Sequence, residues 1–349
     1  MSNMSQNIPS VNHTQLSQLL DLCILTDEPL MLWGEPGIGK SEAVEQAAER
    51  AGALLVDVRL SLYESVDLRG LPDVDNDATV WRVPNSLPFE GATGWPTDRP
   101  IILFLDELML AAGSVLSAAF QLILNRALGE HKLMPNVRIV GASNEETHRA
   151  GVGKMPTPLA NRFMHARITP CINTFMTYGY KHDLSDTVLG FLKRYPQHLS
   201  EFENALKTGA KAFATPRAWT KVSRMLNAVA SDQSLSDLTV ASIIGESVSA
   251  AFNAFIQLHD LCPSPEDIEQ DPEGTKVPER ADVMFMTITM LVKRVSEKNV
   301  DKFITYAERL PLEYRTMFAV DIGANKSILL VSSEKMSSFV SKNHKELNS

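Results

Sequence analysis

The chain has 349 residues, 44% of them hydrophobic and 21% charged, enough to bury a full core and to divide into two or more domains, so a disordered or fibrous chain is excluded. Against 42 acidic residues stand 33 basic ones, and the formal charge of −9 argues against coating nucleic acid by bulk electrostatics, though not against a local basic channel. Cys23, Cys171 and Cys262 lie far apart with no CxxC pair, which points to reduced thiols in a cytoplasmic setting rather than to zinc or a disulfide framework.

The N-terminus, MSNMSQNIPS, lacks the basic stretch and apolar core of a secretory signal. No apolar run approaches the roughly 20 residues of a membrane-spanning helix, so no membrane insertion is expected. From Pro29 to Ile168, short apolar runs alternate with amphipathic stretches, the pattern of a parallel sheet covered by helices. Five strands are predicted: Leu30–Trp33, Ala53–Val58, Ile101–Leu105, Val137–Ala142 and His165–Ile168. A crossover helix is predicted over Ser114–Arg126, where Val115, Leu116, Ala119, Leu122 and Ile123 share one face. After Pro170 the strand signal fades, and Thr187–Tyr195, Thr215–Ala230 and Thr239–Leu261 read as helices. The stretch Cys262–Glu279, rich in proline and acid, reads as a linker or exposed loop, followed by a last helical segment over Ala281–Lys345.

The strongest local signal is Gly34-Glu-Pro-Gly-Ile-Gly-Lys-Ser41, which fits GxxxxGK[ST] between an apolar strand and a helix starting near Lys40. Gly34, Glu35, Pro36, Gly37, Ile38 and Gly39 would curl the backbone so that its N–H groups face a phosphate at the positive end of that helix. Lys40 would neutralise β and γ oxygens, and Ser41 would ligate Mg²⁺. The strand Ile101–Leu105 runs into Asp106 and Glu107, and strands of a parallel sheet present ligand-binding residues at their carboxyl ends. Asp106 would hold Mg²⁺ through water, and Glu107 would polarise the attacking water. Without the phosphate loop, the same pattern would be a strand ending in a solvated turn.

Asn144, just past the fourth strand, would lie between the phosphate loop and the acidic pair, where it could hold the attacking water or the γ-phosphate; a plain turn asparagine fits that position too. Arg162 in Pro158-Leu-Ala-Asn-Arg-Phe163 stands at a domain edge. In a ring of subunits it would reach the neighbour's γ-phosphate, and otherwise it is a surface ion-pair residue. Arg217, after Thr215-Pro216 at the start of a predicted helix, would either touch the γ-phosphate or pack its stem on the domain.

The order GEPGIGKS, IILFLDEL, GASN, PLANRF, TPRAW resembles the AAA+ ATPases, and within them the MoxR branch, over roughly Asn12–Leu226. The resemblance implies an α/β fold, an AAA+ P-loop core with a parallel five-stranded sheet over residues 1–170. A helical lid (171–262), the linker (263–280) and a helical C-terminal segment (281–349) would follow. It implies an ATP and Mg²⁺ site at Gly34–Ser41, Asp106 and Glu107, a sensor-1 residue at Asn144, an arginine finger at Arg162 and a sensor-2 arginine at Arg217. In such proteins a β-hairpin interrupts the second helix and faces the pore or substrate; residues 67–88 match, with Leu71–Trp81 the candidate for force transmission. Implied too are a homo-hexameric ring, Mg²⁺-dependent ATP hydrolysis, and remodelling or chaperone-like activation of a protein partner, often one with a von Willebrand factor A domain. Leu108-Met-Leu-Ala-Ala departs from the polar start usual after the acidic pair, so no interface role is carried there, and nothing in the family's motifs reaches the C-terminal segment. Two other classes stay open: a nucleic-acid motor or loader whose Arg69, Arg82 or Lys132 would touch a backbone, and a nucleotide-gated binding module with negligible turnover.

Overall fold

The computed structural model describes residues 8–75, 78–82, 84–145, 155–228 and 233–346. The chain divides into two compact units, one up to Thr169 and one from Pro170.

The first unit opens with β1 (Ser10–Val11), α1 (His13–Thr26), β2 (Leu30–Gly34), α2 (Lys40–Ala51), β3 (Leu54–Arg59) and the short α3 (Ser65–Arg69). A hairpin follows, β4 (Leu71–Asp75) and β5 (Ala78–Arg82), then β6 (Ile101–Asp106), α4 (Gly113–Asn125), a second small hairpin of β7 (Ala127–Leu128) and β8 (His131–Lys132), β9 (Val137–Ser143), α5 (Thr157–Ala160) and β10 (Met164–Ile168). Six strands form one parallel sheet in the order β1-β10-β2-β9-β6-β3. Five of them are the predicted strands. The sixth, β1, is two residues long at the edge, too short for any alternation to announce it.

Both faces of the sheet are covered, which is why its central strands read as unbroken apolar runs. Even-numbered Leu30, Leu32, Ile102, Phe104, Val140 and Ala142 pack with Leu16, Leu20 and Cys23 of α1 and Val44 and Ala47 of α2. Odd-numbered Met31, Trp33, Leu103, Leu105 and Ile139 pack with Val115, Ala119 and Leu122 of α4 on the opposite face. Two-residue alternation therefore sends Asp106 to the α2 side. Cys23 is buried, and burial pushes its thiol up to about 12, in keeping with an inert core residue.

The β4–β5 hairpin pairs Leu71 with Arg82 and Pro72 with Trp81; its turn residues 76–77, and Val83, lie outside the described residues. Gly70 has φ +80°, and a Cβ there would sit 1.9 Å from the Arg82 carbonyl oxygen, so only glycine closes the hairpin base. Arg82 forks onto Asp73 at 2.9 and 2.7 Å, and Arg69 lies 5.9 Å from the Trp81 ring centroid.

The second unit is helical: α6 (Ile172–Lys181), α7 (Asp186–Arg194), α8 (Phe202–Thr208), α9 (Pro216–Ala228), α10 (Gln233–Ile244), α11 (Glu246–Ile256), α12 (Pro265–Gln270), α13 (Ala281–Arg294), α14 (Val300–Ala307), α15 (Leu312–Asn325), α16 (Ser327–Ser332) and α17 (Glu334–Glu346). Three expectations change here. The helix expected over Thr239–Leu261 is two helices broken at Gly245, whose φ is +85° and whose absent Cβ leaves room for the Ala212 carbonyl oxygen. The stretch expected as a linker contains α12, capped by the Ser264 hydroxyl accepting from Asp267 N–H at 3.0 Å and anchored by fully buried Ile268. The expected lid and C-terminal segment share one compact unit because α13 serves both: Met286 and Met290 join Phe191, Trp219 and Phe252, whereas Ile288, Leu291 and Val292 join Phe303, Phe318 and Met336. The tail of the helix expected to reach Ala230 lies outside the described residues.

Buried polar bonds cross this unit. Lys193 of α7 and Asp321 of α15 form an ion pair with side chains only 11% and 13% exposed, and the Tyr180 hydroxyl donates to the same carboxylate at 3.0 Å. Burial pulls Lys193 down to about 7. Asp321→Asn keeps the acceptor for Tyr180 but removes the countercharge, so a loss of about 3 kcal/mol is expected near neutral pH or below. Between about 7 and the ordinary lysine range the unfolded chain holds a proton that folded Lys193 has released, so the unfolded state binds more protons and stability rises with pH. Denaturant titrations of variant and wild type at about pH 6 and about pH 9 should show the deficit shrinking at the higher value; an equal deficit at both would refute the assignment.

Candidate nucleotide site

The loop between β2 and α2 is set by steric limits on its glycines. A Cβ on Gly34 would lie 2.8 Å from the Ile168 carbonyl oxygen of the neighbouring β10, so the strand ends where only glycine fits. Gly39, at φ +103°, is the N-cap of α2, a conformation other residues rarely adopt. The unpaired N–H groups of the first turn of α2 are left at the carboxyl edge of the sheet.

Lys40 is 9% exposed, and its ammonium donates to the Gly34 carbonyl at 2.8 Å, the Glu35 carbonyl at 3.0 Å and Asn144 Oδ1 at 3.0 Å. Ser41 Oγ lies 3.3 Å from Asp106 Oδ2, and Asp106 Oδ1 accepts the Glu107 backbone N–H at 2.9 Å. Strand order explains the convergence: β9 lies between β2 and β6, so Asn144 stands between the phosphate loop and the acidic pair. Glu107 leaves β6 with φ +56°, a left-handed conformation that parts its side chain from Asp106, and it accepts a hydrogen bond from the Ser61 hydroxyl. On the adjoining strand, burial and then the Asp106 charge push the Asp57 carboxyl above its usual range.

The structure thus brings together Gly34–Ser41, Asp106, Glu107 and Asn144. Arg162 lies apart on an exposed turn between α5 and β10. Arg217, in the second unit, is exposed on the first turn of α9, where the Thr215 hydroxyl accepts from Ala218 N–H at 3.1 Å while Ala218 and Trp219 turn inward. Ser61 has no motif to mark it. Its place beside Glu107 follows from the pairing of Arg59 with Asp106, a register no local pattern reveals.

Ser41 and Asp106 offer two oxygens to one point, the donor type a hard divalent cation takes. Among the described residues no group of three or more His, Cys, Asp or Glu could hold a metal by itself.

Residues 29–163 match the family model described as AAA domain (dynein-related subfamily). The curated protein Midasin of Giardia intestinalis is 31% identical over 154 residues, 40% of this chain and 3% of that protein, so the chain spans a small fraction of the relative it matches. Among solved structures, the Thermotoga maritima RuvB Holliday junction branch migration motor aligns with TM-score 0.37 and 15% identity over 77% of this chain and 76% of that one. NtrX from Brucella abortus in complex with ATP aligns with TM-score 0.35 and 14% identity over 98% and 69%. The first unit has the α/β AAA+ fold, its parallel sheet followed along the chain by the helical second unit, and the matched segment is similar to an AAA domain. At finer grain its likeness is to the dynein-related, midasin-like group. Among the described residues no helix is long and apolar enough to cross a membrane.

Proposed function

We propose that the chain is a ring-forming, Mg²⁺-dependent ATPase of the MoxR type that uses ATP hydrolysis to remodel or activate a protein partner. The observation that supports it most is that two hydrogen-bonded pairs, Lys40 with Asn144 and Ser41 with Asp106, meet at the α2 N-terminus next to Glu107. The carbonyls and amide oxygen now around the Lys40 ammonium mark where phosphate oxygens would be met. Ser41 and Asp106 would hold Mg²⁺, which would supply positive charge against the phosphates.

Loop N–H groups and Lys40 bind and orient the triphosphate. Glu107 takes a proton from an ordered water, once its carboxylate leaves the Ser61 hydroxyl that now occupies it. Asn144 holds that water or the γ-phosphate from the side. Arg162 acts on an adjoining protomer's nucleotide, and Arg217 reads the γ-phosphate on behalf of the second unit. The β4–β5 hairpin, with Arg69, Trp81 and Arg82 at its surface, is the proposed substrate-facing element, and a von Willebrand factor A domain is the proposed type of partner. Phosphate release from ATP that is lost on chelating Mg²⁺, together with ATP-promoted rings in light scattering, is the expected result. Tight ATP binding without phosphate release would overturn hydrolysis, and strong stimulation by duplex DNA would overturn the protein-remodelling reading.

A further inference from the structure

The strand that feeds the phosphate loop is tied sideways to the turn that carries Arg162. Trp33, next to last in β2, donates its indole N–H to Nδ1 of His165 on β10 at 2.9 Å. Nε2 of the same imidazole lies 2.8 Å from the Ala160 carbonyl oxygen. With Nδ1 accepting from the indole, the ring proton sits on Nε2 and is donated to Ala160. The two rings stack with centroids 6.0 Å apart at 23°, and Phe163 packs against the imidazole at 6.2 Å.

Ala160 is the last residue of α5, and carbonyls at a helix end lack partners inside the helix. Its oxygen also receives the Phe163 N–H at a long 3.3 Å, so His165 is its stronger donor. Leu159 and Phe163, 1% and 8% exposed, sink into the core on either side, leaving Asn161 and Arg162 exposed on a turn anchored at both ends. His165 pins the middle of that turn to the residue immediately before Gly34.

We infer that His165 is a positioning residue for Arg162: by bridging Trp33 and Ala160 it fixes the finger-bearing turn to the strand that ends in the same protomer's phosphate loop. The inference rests on the reading that Arg162 acts in trans. An exposed guanidinium is useful only where its base is held still, because small misplacements at a reacting centre cost rate steeply. The same bridge links each protomer's own loop to the arginine it offers its neighbour.

The test uses donor protomers with no turnover of their own. Wild-type protein is mixed with a large excess of Glu107→Gln donors, which still bind ATP, and its phosphate release is compared with that in mixtures with donors also carrying Arg162→Ala, His165→Ala, His165→Gln or His165→Asn. Energy transfer between labelled subunits reports co-assembly in every mixture. Arg162→Ala donors should depress the wild-type rate most strongly, and His165→Ala donors by roughly tenfold relative to Glu107→Gln donors alone. A role confined to the donor's own site would leave this rate unmoved. Gln places an N–H where Nε2 stands but offers Trp33 no acceptor, and Asn keeps that acceptor but cannot reach Ala160, so each breaks the bridge at one end and should leave the rate depressed. If Arg162→Ala donors have no effect, the trans reading itself fails. If they depress the rate and co-assembled His165→Ala donors do not, only the role of His165 fails. Should the alanine variant not assemble, the Gln and Asn donors decide, and an undepressed rate with either of them would overturn the inference.

Discussion

Glu107→Gln protein is expected to bind ATP as tightly as wild type and to turn it over roughly 10²- to 10⁴-fold more slowly, the usual contribution of a positioned general base. The amide keeps the shape of the carboxylate and can still accept from the Ser61 hydroxyl, so neither the fold nor the phosphate loop is disturbed. What it loses is the ability to take a proton. Lys40→Ala should behave in the opposite way. Its ammonium is joined to both the loop carbonyls and Asn144, and removing it leaves the phosphates without that countercharge. Binding itself should be lost, and with it all turnover. Fluorescent-nucleotide titration and phosphate release, measured on both variants, separate the two effects; a Glu107→Gln protein hydrolysing ATP at the wild-type rate would show that the acidic pair has been misassigned.

Arg162→Ala is expected to cut hydrolysis by roughly 10³-fold or more while leaving nucleotide affinity nearly unchanged, since an arginine finger acts on charge that develops in the transition state. The residue is exposed in the first unit, so the variant should fold normally. Its special signature is concentration dependence on the partner copies. In mixed assemblies each Arg162→Ala protomer silences a site that belongs to its neighbour, and in a ring whose sites act in concert the rate falls faster than the wild-type fraction. Mixing Arg162→Ala protein with Glu107→Gln protein should restore hydrolysis, because the second lends its arginine to the intact site of the first; no restoration in co-assembled rings would mean that each protomer relies on its own arginine.

The loop and the acidic pair were legible because each is contiguous and chemically committed. Gly34, Gly39, Lys40 and Ser41 stand in one run of eight residues, and their conformational and charge requirements can be read without knowing what lies beside them. Asn144 was half legible: its residue type suits a turn as well as a site, and only the insertion of β9 between β2 and β6 decides which. Ser61 and His165 were silent because their partners lie 46 residues away in Glu107 and 132 residues away in Trp33. The helical half hides its breaks for a different reason. An acidic, proline-rich stretch hid a helix because a single isoleucine, Ile268, anchors it, and one apolar residue makes no period. At Gly245 the apolar pattern ran on while the backbone turned, so periodicity joined two helices that a left-handed residue separates.

The shared helix α13 has a mechanical consequence. Because Met286 and Met290 are wedged among the aromatic rings of one cluster while Ile288 and Leu291 fill the other, neither cluster can shift without dragging the helix that fills its neighbour. A push delivered anywhere on α7 or α9 would arrive at α15 and α17 as a swing of a stiff beam, with little lost to internal give along the way.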